Sequence, residues 1–278
     1  MSKVSEHGNE LRVNEKTFFF DEREKQNTKQ YWFAIRELTG RELKRKYARS
    51  YLGVVWSVLS PLFNMIVLSL IFSYMFRRNI ENFPVYYLIG GTIWTLFRTA
   101  TDSAMTALVD NKQLLIRAKL PKYTFILSRI YTALIIYLYS IIPLIAIIVF
   151  FGIHITVKAL LIIPVLALVT LFSTGIGFIL SIVYVFFADI KYLYSILLTA
   201  WMYLSALFYP VSVMPDFMQE VIGYNPIFLA IDISRTVLQY GELPPILEWI
   251  KLFIFAVVFL FFGILIFLKS ENHVMTKV

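Results

Sequence analysis

The sequence contains no cysteine, so it has no disulfide or thiolate chemistry, and that absence assigns no redox compartment. Histidine is scarce. His7, His154 and His273 are scattered along the chain at no metal-ligand spacing, and no metal site is expected. Charge is also sparse: 16% of residues are charged, against roughly 25% in a soluble domain. No G-x-x-x-x-G-K-[ST] loop is present to cradle ATP. H-E-x-x-H, G-x-S-x-G and carboxylate pairs at catalytic spacing are missing too. No catalytic residue and no cofactor bound by this chain are therefore assigned, and the chain reads as something other than an enzyme.

What is abundant is apolar surface, at 59% of residues. A helix needs about 20 apolar residues to cross the hydrocarbon of a bilayer. Six runs meet or approach that length, near 51–76, 84–109, 123–151, 157–187, 190–211 and 246–268. They are too long for barrel strands and lack the alternation of a barrel. The expected fold is an all-α integral membrane protein in which residues 51–278 form one membrane domain. Residues 1–27 read as a polar arm, and no cleavable signal peptide precedes the first span. Lys and Arg are distributed asymmetrically. Twelve fall in residues 1–50, four at Lys112, Arg117, Lys119 and Lys122, and three at Lys191, Lys269 and Lys277; the opposite side holds Arg77, Arg78, Lys158 and Arg235. By the positive-inside rule both termini lie in the cytoplasm of a multi-pass protein. The net charge of +8 is then an orientation signal beside anionic membrane lipid, not a nucleic-acid footprint.

Between the arm and the first span, residues 28–50 read as an amphipathic interfacial helix and a basic junction. Tyr31, Ala34, Ile35 and Leu38 share one face at helical spacing, Gly40 is expected to bend the chain, and Arg41, Lys44, Arg45 and Arg49 line one side. That stripe serves either as positive-inside anchoring or as a clamp for phosphate headgroups, which Arg pairs bidentately. The loop DNKQLLIRAKLPK (110–122) is basic with an apolar centre. A small helix carrying Asn111, Leu114, Leu115, Arg117 and Lys119 that presses into a partner's groove, or a surface connector, fits this pattern. The loop after the fifth span is acidic, with Asp216, Glu220, Asp232 and Glu242 against Arg235. Pro215, Asn225-Pro226 and Pro244-Pro245 cut it into pieces near 215–223 and 227–240, each too short to cross and too apolar to float. A pair of re-entrant outer helices is expected.

Charge within the spans is confined to few positions. Arg98 and Asp102 stand at i, i+4 in the second span among Thr95, Thr99, Thr101, Ser103 and Thr106. As an intramembrane pair they either line a wet channel or hold the bundle together. Aromatics make up 17% of the chain. Tyr194, Trp201 and Phe208 repeat every seven residues, with Tyr203 and Tyr209 beside them, and Trp56, Phe63 and Tyr74 form a looser set in the first span. They are either belts at the bilayer surface or a lane on which the C–H faces of sugar rings slide.

Four stretches resemble one family. RELKRKYARSYLGVVWSVLSPLF (41–63), NKQLLIRAKLPK (111–122), FADIKYLYSILLTAWMYLSALFYPVSVMP (187–215) and YNPIFLAIDISRTVLQYG (224–241) are similar, in order and spacing, to the type-2 ABC export permeases for bacterial cell-surface polysaccharides, such as O-antigen and teichoic acid. The sequence departs from that pattern at Ala188-Asp189, where Arg-Asp is common, and in its N-terminal arm. The resemblance implies a homodimer of this subunit with two copies of a separate ABC ATPase, which holds ATP and Mg. It implies a lipid-pyrophosphate-linked glycan as substrate and a location in the bacterial cytoplasmic membrane. On the family pattern, Arg41, Lys44, Arg45 and Arg49 would receive the pyrophosphate. Trp56, Phe63, Tyr194, Trp201, Tyr203 and Phe208 would line the glycan path. Asn111, Leu114, Leu115, Arg117 and Lys119 would couple to the ATPase, and Pro215, Asn225, Pro226 and Arg235 would form the outer gate. Two other classes remain open: a membrane transferase acting on lipid-linked sugars, which would need converging acids, and a small-molecule ABC export permease.

Overall fold

The computed structural model describes residues 29–48, 50–76, 80, 82–117 and 120–277. The arm 1–27, Arg49, Arg77, Arg78, Lys119 and the side chain of Tyr74 lie outside the described residues. The described residues contain no strand. They form ten helices: α1 (29–47), α2 (Trp56–Phe76), α3 (Phe83–Asp110), α4 (Lys112–Arg117), α5 (Tyr123–Phe150), α6 (Ile162–Phe186), α7 (Ile190–Tyr203), α8 (Asp216–Ile222), α9 (Pro226–Leu238) and α10 (Ile246–Lys277).

Among the described residues four stretches are long and apolar enough to cross a membrane: Gly53–Ile71, Tyr123–Phe150, Val157–Phe186 and Ile246–Glu271. The chain is thus an integral membrane protein. The 28 residues of α3 are long enough, but Thr95, Arg98, Thr99, Asp102 and Ser103 keep its composition more polar than that of those four. Helices α8 and α9 meet at 91° and have the length and composition of a span only when taken together.

The bundle is organised around α3, which touches α2, α5, α6, α7 and α9, while α6 packs along α10. The second interface is the tightest. A methyl group added to Gly175 of α6 would lie 2.4 Å from the Phe259 backbone of α10, and one added to Gly263 would lie 2.4 Å from the Gly175 carbonyl oxygen. Glycine is required there because lipid tails offer no hydrophobic drive, so close backbone packing holds the helices. The inner face of α3 buries Phe97, Ala100, Ala104 and Leu108 against Phe125 and Ile126 of α5 and Phe172 of α6. By contrast α2 and α7 bury little. Only Ser57 and Met65 of the side chains described in α2, and Tyr194 and Leu198 of α7, are buried.

Two expectations need correction. Helix α1 continues through Gly40 without a break. Glu37, Leu38, Arg41, Glu42 and Leu43 around Gly40 are strong helix formers, and the nearby Thr39 and Glu42 are tied to α5, Thr39 to the Ser128 carbonyl oxygen and Glu42 to Arg129. The run 190–211 is helical only to Tyr203, 14 residues or about 21 Å. Residues 204–209 turn instead, with Ala206 at φ 47°. Irregular backbone buried inside protein needs its polar groups satisfied there. Arg235 of α9 supplies the donors. Its guanidinium donates to the carbonyl oxygens of Ala206 (3.1 Å), Leu207 (3.2 Å) and Tyr86 (3.3 Å) and lies 3.4 Å from the Tyr86 ring centre. The Tyr86 hydroxyl adds a bond to the Tyr209 carbonyl at 2.9 Å. The seven-residue aromatic repeat therefore leaves the helix before Phe208.

Candidate functional site: a hydrophilic face in an apolar bundle

Arg98 and Asp102 sit near the middle of α3, and both side chains are exposed. No ion pair joins them among the described residues. Thr95, one turn earlier, is exposed as well. The hydroxyls of Ser103 and Thr101 turn back onto the helix, donating to the carbonyls of Thr99 (2.6 Å) and Phe97 (2.9 Å). The face of α3 that is left open is therefore hydrophilic. Insertion scales put a charged residue at the bilayer centre at about 2.5–3.5 kcal/mol, so such a face belongs against water or protein rather than lipid.

Thr95 also borders a cavity of about 240 Å³ between α2, α3 and α5. Its walls are mixed: the hydroxyl and amide groups of Tyr47, Ser57, Ser60, Asn64, Thr92 and Ser140 stand among apolar surface, with Lys46 and Trp56 at the α1–α2 end. Tyr47 and Ser57 share a hydrogen bond, which closes the junction between α1 and α2. At roughly 30 Å³ per water, the cavity has room for about eight waters. Trp56 and Phe63 of α2 are half-exposed on the open side of the helix.

The aromatic positions of α7 are distributed differently. Tyr194 is buried and donates to Thr101 Oγ1 at 2.6 Å. Trp201 is half-buried, edge-on to Phe97 (5.1 Å) and Phe172 (6.3 Å). Its indole N–H donates to Asn225 Oδ1 at 2.9 Å. Phe208 is buried and stacked on Tyr87 at 5.9 Å, whereas Tyr203 is exposed. Asn225 joins the two regions. Its oxygen caps α9 by accepting from Ile227 N (3.0 Å) and Phe228 N (3.3 Å), and its amide donates to the Leu204 carbonyl at 2.9 Å. Pro215 precedes α8 and Pro226 opens α9, so each starts where its missing N–H needs no helical partner. An apolar cavity of about 630 Å³ lies between Trp201, Leu204 and the inner side of α8.

At the α4 end, Leu115 is buried and Leu114 half-buried against the chain's own core, while Lys112, Gln113, Ile116 and Arg117 face outward. Along α1, Lys44 is exposed. Arg45 pairs with Glu42 at 2.9 Å, and Arg41 donates to the Asn111 side-chain oxygen. Sequence reasoning passed over Arg129 of α5, which is 5% exposed and paired with Glu42 and Asp110. A lone Arg inside the apolar run FILSRIYTALII was the available signal, because a buried guanidinium demands carboxylates. Among the described residues no His, Asp or Glu group has the arrangement of a metal site.

A helical membrane bundle that leaves the hydrophilic positions Thr95, Arg98 and Asp102 of α3 open fits a membrane transport protein. The family described as ABC-2 type transporter matches residues 34–239, and the chain belongs to it. It is 31% identical over 188 residues to the O-antigen export system permease protein RfbA of Myxococcus xanthus, covering 67% of this chain and 72% of that protein. It is 26% identical over 207 residues to RfbA of Klebsiella pneumoniae, covering 74% and 80%. The polysialic acid transport protein KpsM of Escherichia coli is 24% identical over 240 residues, covering 85% and 93%.

Proposed function

We propose that this chain is the membrane-spanning permease subunit of an ATP-driven exporter that moves lipid-pyrophosphate-linked polysaccharide across the bacterial cytoplasmic membrane. Two copies work with two copies of an ABC ATPase. The exposed hydrophilic face of α3 carries the reading. A hydroxyl-rich polymer needs a wet path through the bilayer, and a second copy closing over Thr95, Arg98 and Asp102 encloses one. The names of the relatives, O-antigen export and polysialic acid transport, support a glycan as cargo.

On this reading α2, α3, α5, α6, α7 and α10 make six crossings, with α7 completed by the turn that Arg235 holds. The bent pair α8–α9 is re-entrant on the outer side and gates the exit, with Pro215, Asn225 and Pro226 at its corners. Both termini are cytoplasmic. Lys44 and Arg45, with Arg41 and Arg49, receive the pyrophosphate at the α1 surface. Trp56, Phe63 and Tyr203 offer exposed aromatic faces to the glycan, and Tyr194, Trp201 and Phe208 shape that wall from behind. Helix α4 meets the ATPase through Asn111, Arg117 and Lys119, with Ile116 as its outward apolar contact and Leu114 and Leu115 seating it on the bundle.

The test is genetic and chemical. Deleting the gene should abolish surface glycan and leave lipid-linked polymer accumulating inside the cell. Unchanged surface glycan without accumulation would overturn the reading.

A further inference from the structure

A second polar cluster, at the end of the bundle that holds α4, is not part of the path. Arg129 stands in the second turn of α5, and its guanidinium pairs with carboxylates from two other helices. One is Glu42 of α1; the other is Asp110 at the end of α3, at 3.0 Å. Asp110 also accepts from Thr106 at 2.8 Å. The next residue, Asn111, is the single-residue joint between α3 and α4. Its oxygen accepts from Arg41 of α1, and its amide donates to the Ala107 carbonyl at 2.8 Å. Thr39 of α1 completes the set by donating to the Ser128 carbonyl at 3.1 Å.

The two halves of α1 are therefore held by different forces. Its first half lies on α5 through rings, Tyr31 against Tyr123 at 6.3 Å and Trp32 against Tyr131 at 5.1 Å. Ring contacts tolerate sliding. Its second half, from Thr39 to Glu42, is fixed by directional bonds to α5 and to the α3–α4 joint. A guanidinium this buried keeps its place only while its carboxylates keep theirs, so the joint holds as a unit or opens as a unit.

We propose that Arg129 is a positioning residue that locks α1 and α4 into one mechanical body, so that displacement of α4 by the ATPase is delivered to α1, where the lipid-linked substrate is received. This rests on the transport reading above. It also gives Arg41 a second role, holding the α3–α4 joint through Asn111, beside the pyrophosphate contact proposed above. The partner that drives the motion is a nucleotide-hydrolysing subunit seated on the outward face of α4, and the element that responds is the amphipathic helix in the headgroup plane.

The experiment uses the complete complex with its ATPase. Glu42→Gln removes the carboxylate that ties α1 to Arg129 while leaving the Arg129–Asp110 pair intact, so the bundle keeps a paired guanidinium. Glycan exported per ATP hydrolysed should fall about tenfold, with complex yield and ATP hydrolysis within about two-fold of wild type. Arg129→Gln should behave alike or worse, and Arg129→Lys, which keeps the charge without the fork, should recover part of the export. Export at the wild-type ratio in Glu42→Gln would overturn the proposal. So would a parallel loss of yield, hydrolysis and export, which would make the cluster a fold anchor only. Failure of the wild-type complex to export would overturn the transport reading itself.

Discussion

Trp201 joins α7 to the start of α9 through Asn225, and two substitutions separate the ring from its hydrogen bond. Trp201→Phe removes the donor to Asn225. Asn225 Oδ1 is not orphaned, because Ile227 N and Phe228 N still reach it at 3.0 and 3.3 Å. The loss is therefore one net hydrogen bond, about 0.5–1.5 kcal/mol. The edge contacts to Phe97 and Phe172 at 5.1 and 6.3 Å survive in part. Trp201→Ala loses the bond and the ring together and enlarges a cavity that is already about 630 Å³. A large aromatic truncated in a packed site costs about 3–5 kcal/mol. Half-burial of Trp201 places the expected effect at the lower end. Reversible unfolding in mixed detergent micelles measures both, beside surface glycan in cells. Trp201→Phe should lose about 1 kcal/mol and keep most export, and Trp201→Ala should lose about 3 kcal/mol with export reduced at equal protein level. An Ala variant as stable as the Phe variant would show that the ring is not packed as described, and the link from α7 to α9 would fall with it.

Arg235→Met should destabilise the bundle by about 3–5 kcal/mol, because it strips donors from three buried carbonyls and leaves Asp232 without its nearby cation. Arg235→Lys should cost less, about 1–3 kcal/mol, and unfolding of the two variants checks the order. At α4 the effects should split by face. Ile116→Asp, on the outward side, should weaken association with the ATPase while leaving the unfolding free energy within about 0.5 kcal/mol of wild type. Leu115→Ala, on the inward side, should destabilise the subunit by about 2–4 kcal/mol.

The apolar helices were legible because length and composition alone define them. The run 123–151 reappears as Tyr123–Phe150, and 246–268 is contained in Ile246–Lys277. The two short helices α8 and α9 were legible from Pro215 and Asn225-Pro226, whose backbone restrictions act locally. The end of α7 was not. The run through Phe208 is as apolar as a span, and the turn after Tyr203 depends on Arg235, which lies far along the chain and reaches back to it only in the fold. The Arg129 cluster was hidden for the same reason, since its partners Glu42 and Asp110 belong to two other helices. The polar face of α3 was visible as a run of Thr, Ser, Arg and Asp, but its exposure was not. Periodicity shows which residues share a face, not which neighbour covers it. Leu114 and Leu115 were placed with the partner because an apolar pair in a basic loop looks external; the short joint at Asn111 folds α4 back so that Leu115 faces its own bundle.

Thiol labelling tests the central claim most directly, and the chain has no cysteine to interfere. Single cysteines at Thr95, Arg98 and Asp102 would probe the exposed face of α3, with Phe261→Cys on α10 as an exposed apolar control away from the proposed path. In the assembled complex, a water-soluble thiol reagent should react at 95, 98 and 102 and not at 261, and glycan undergoing export should protect the first three. No reaction on α3 in any nucleotide state, or reaction indistinguishable from that at 261, would show that this face meets lipid or protein and that no wet path runs along it.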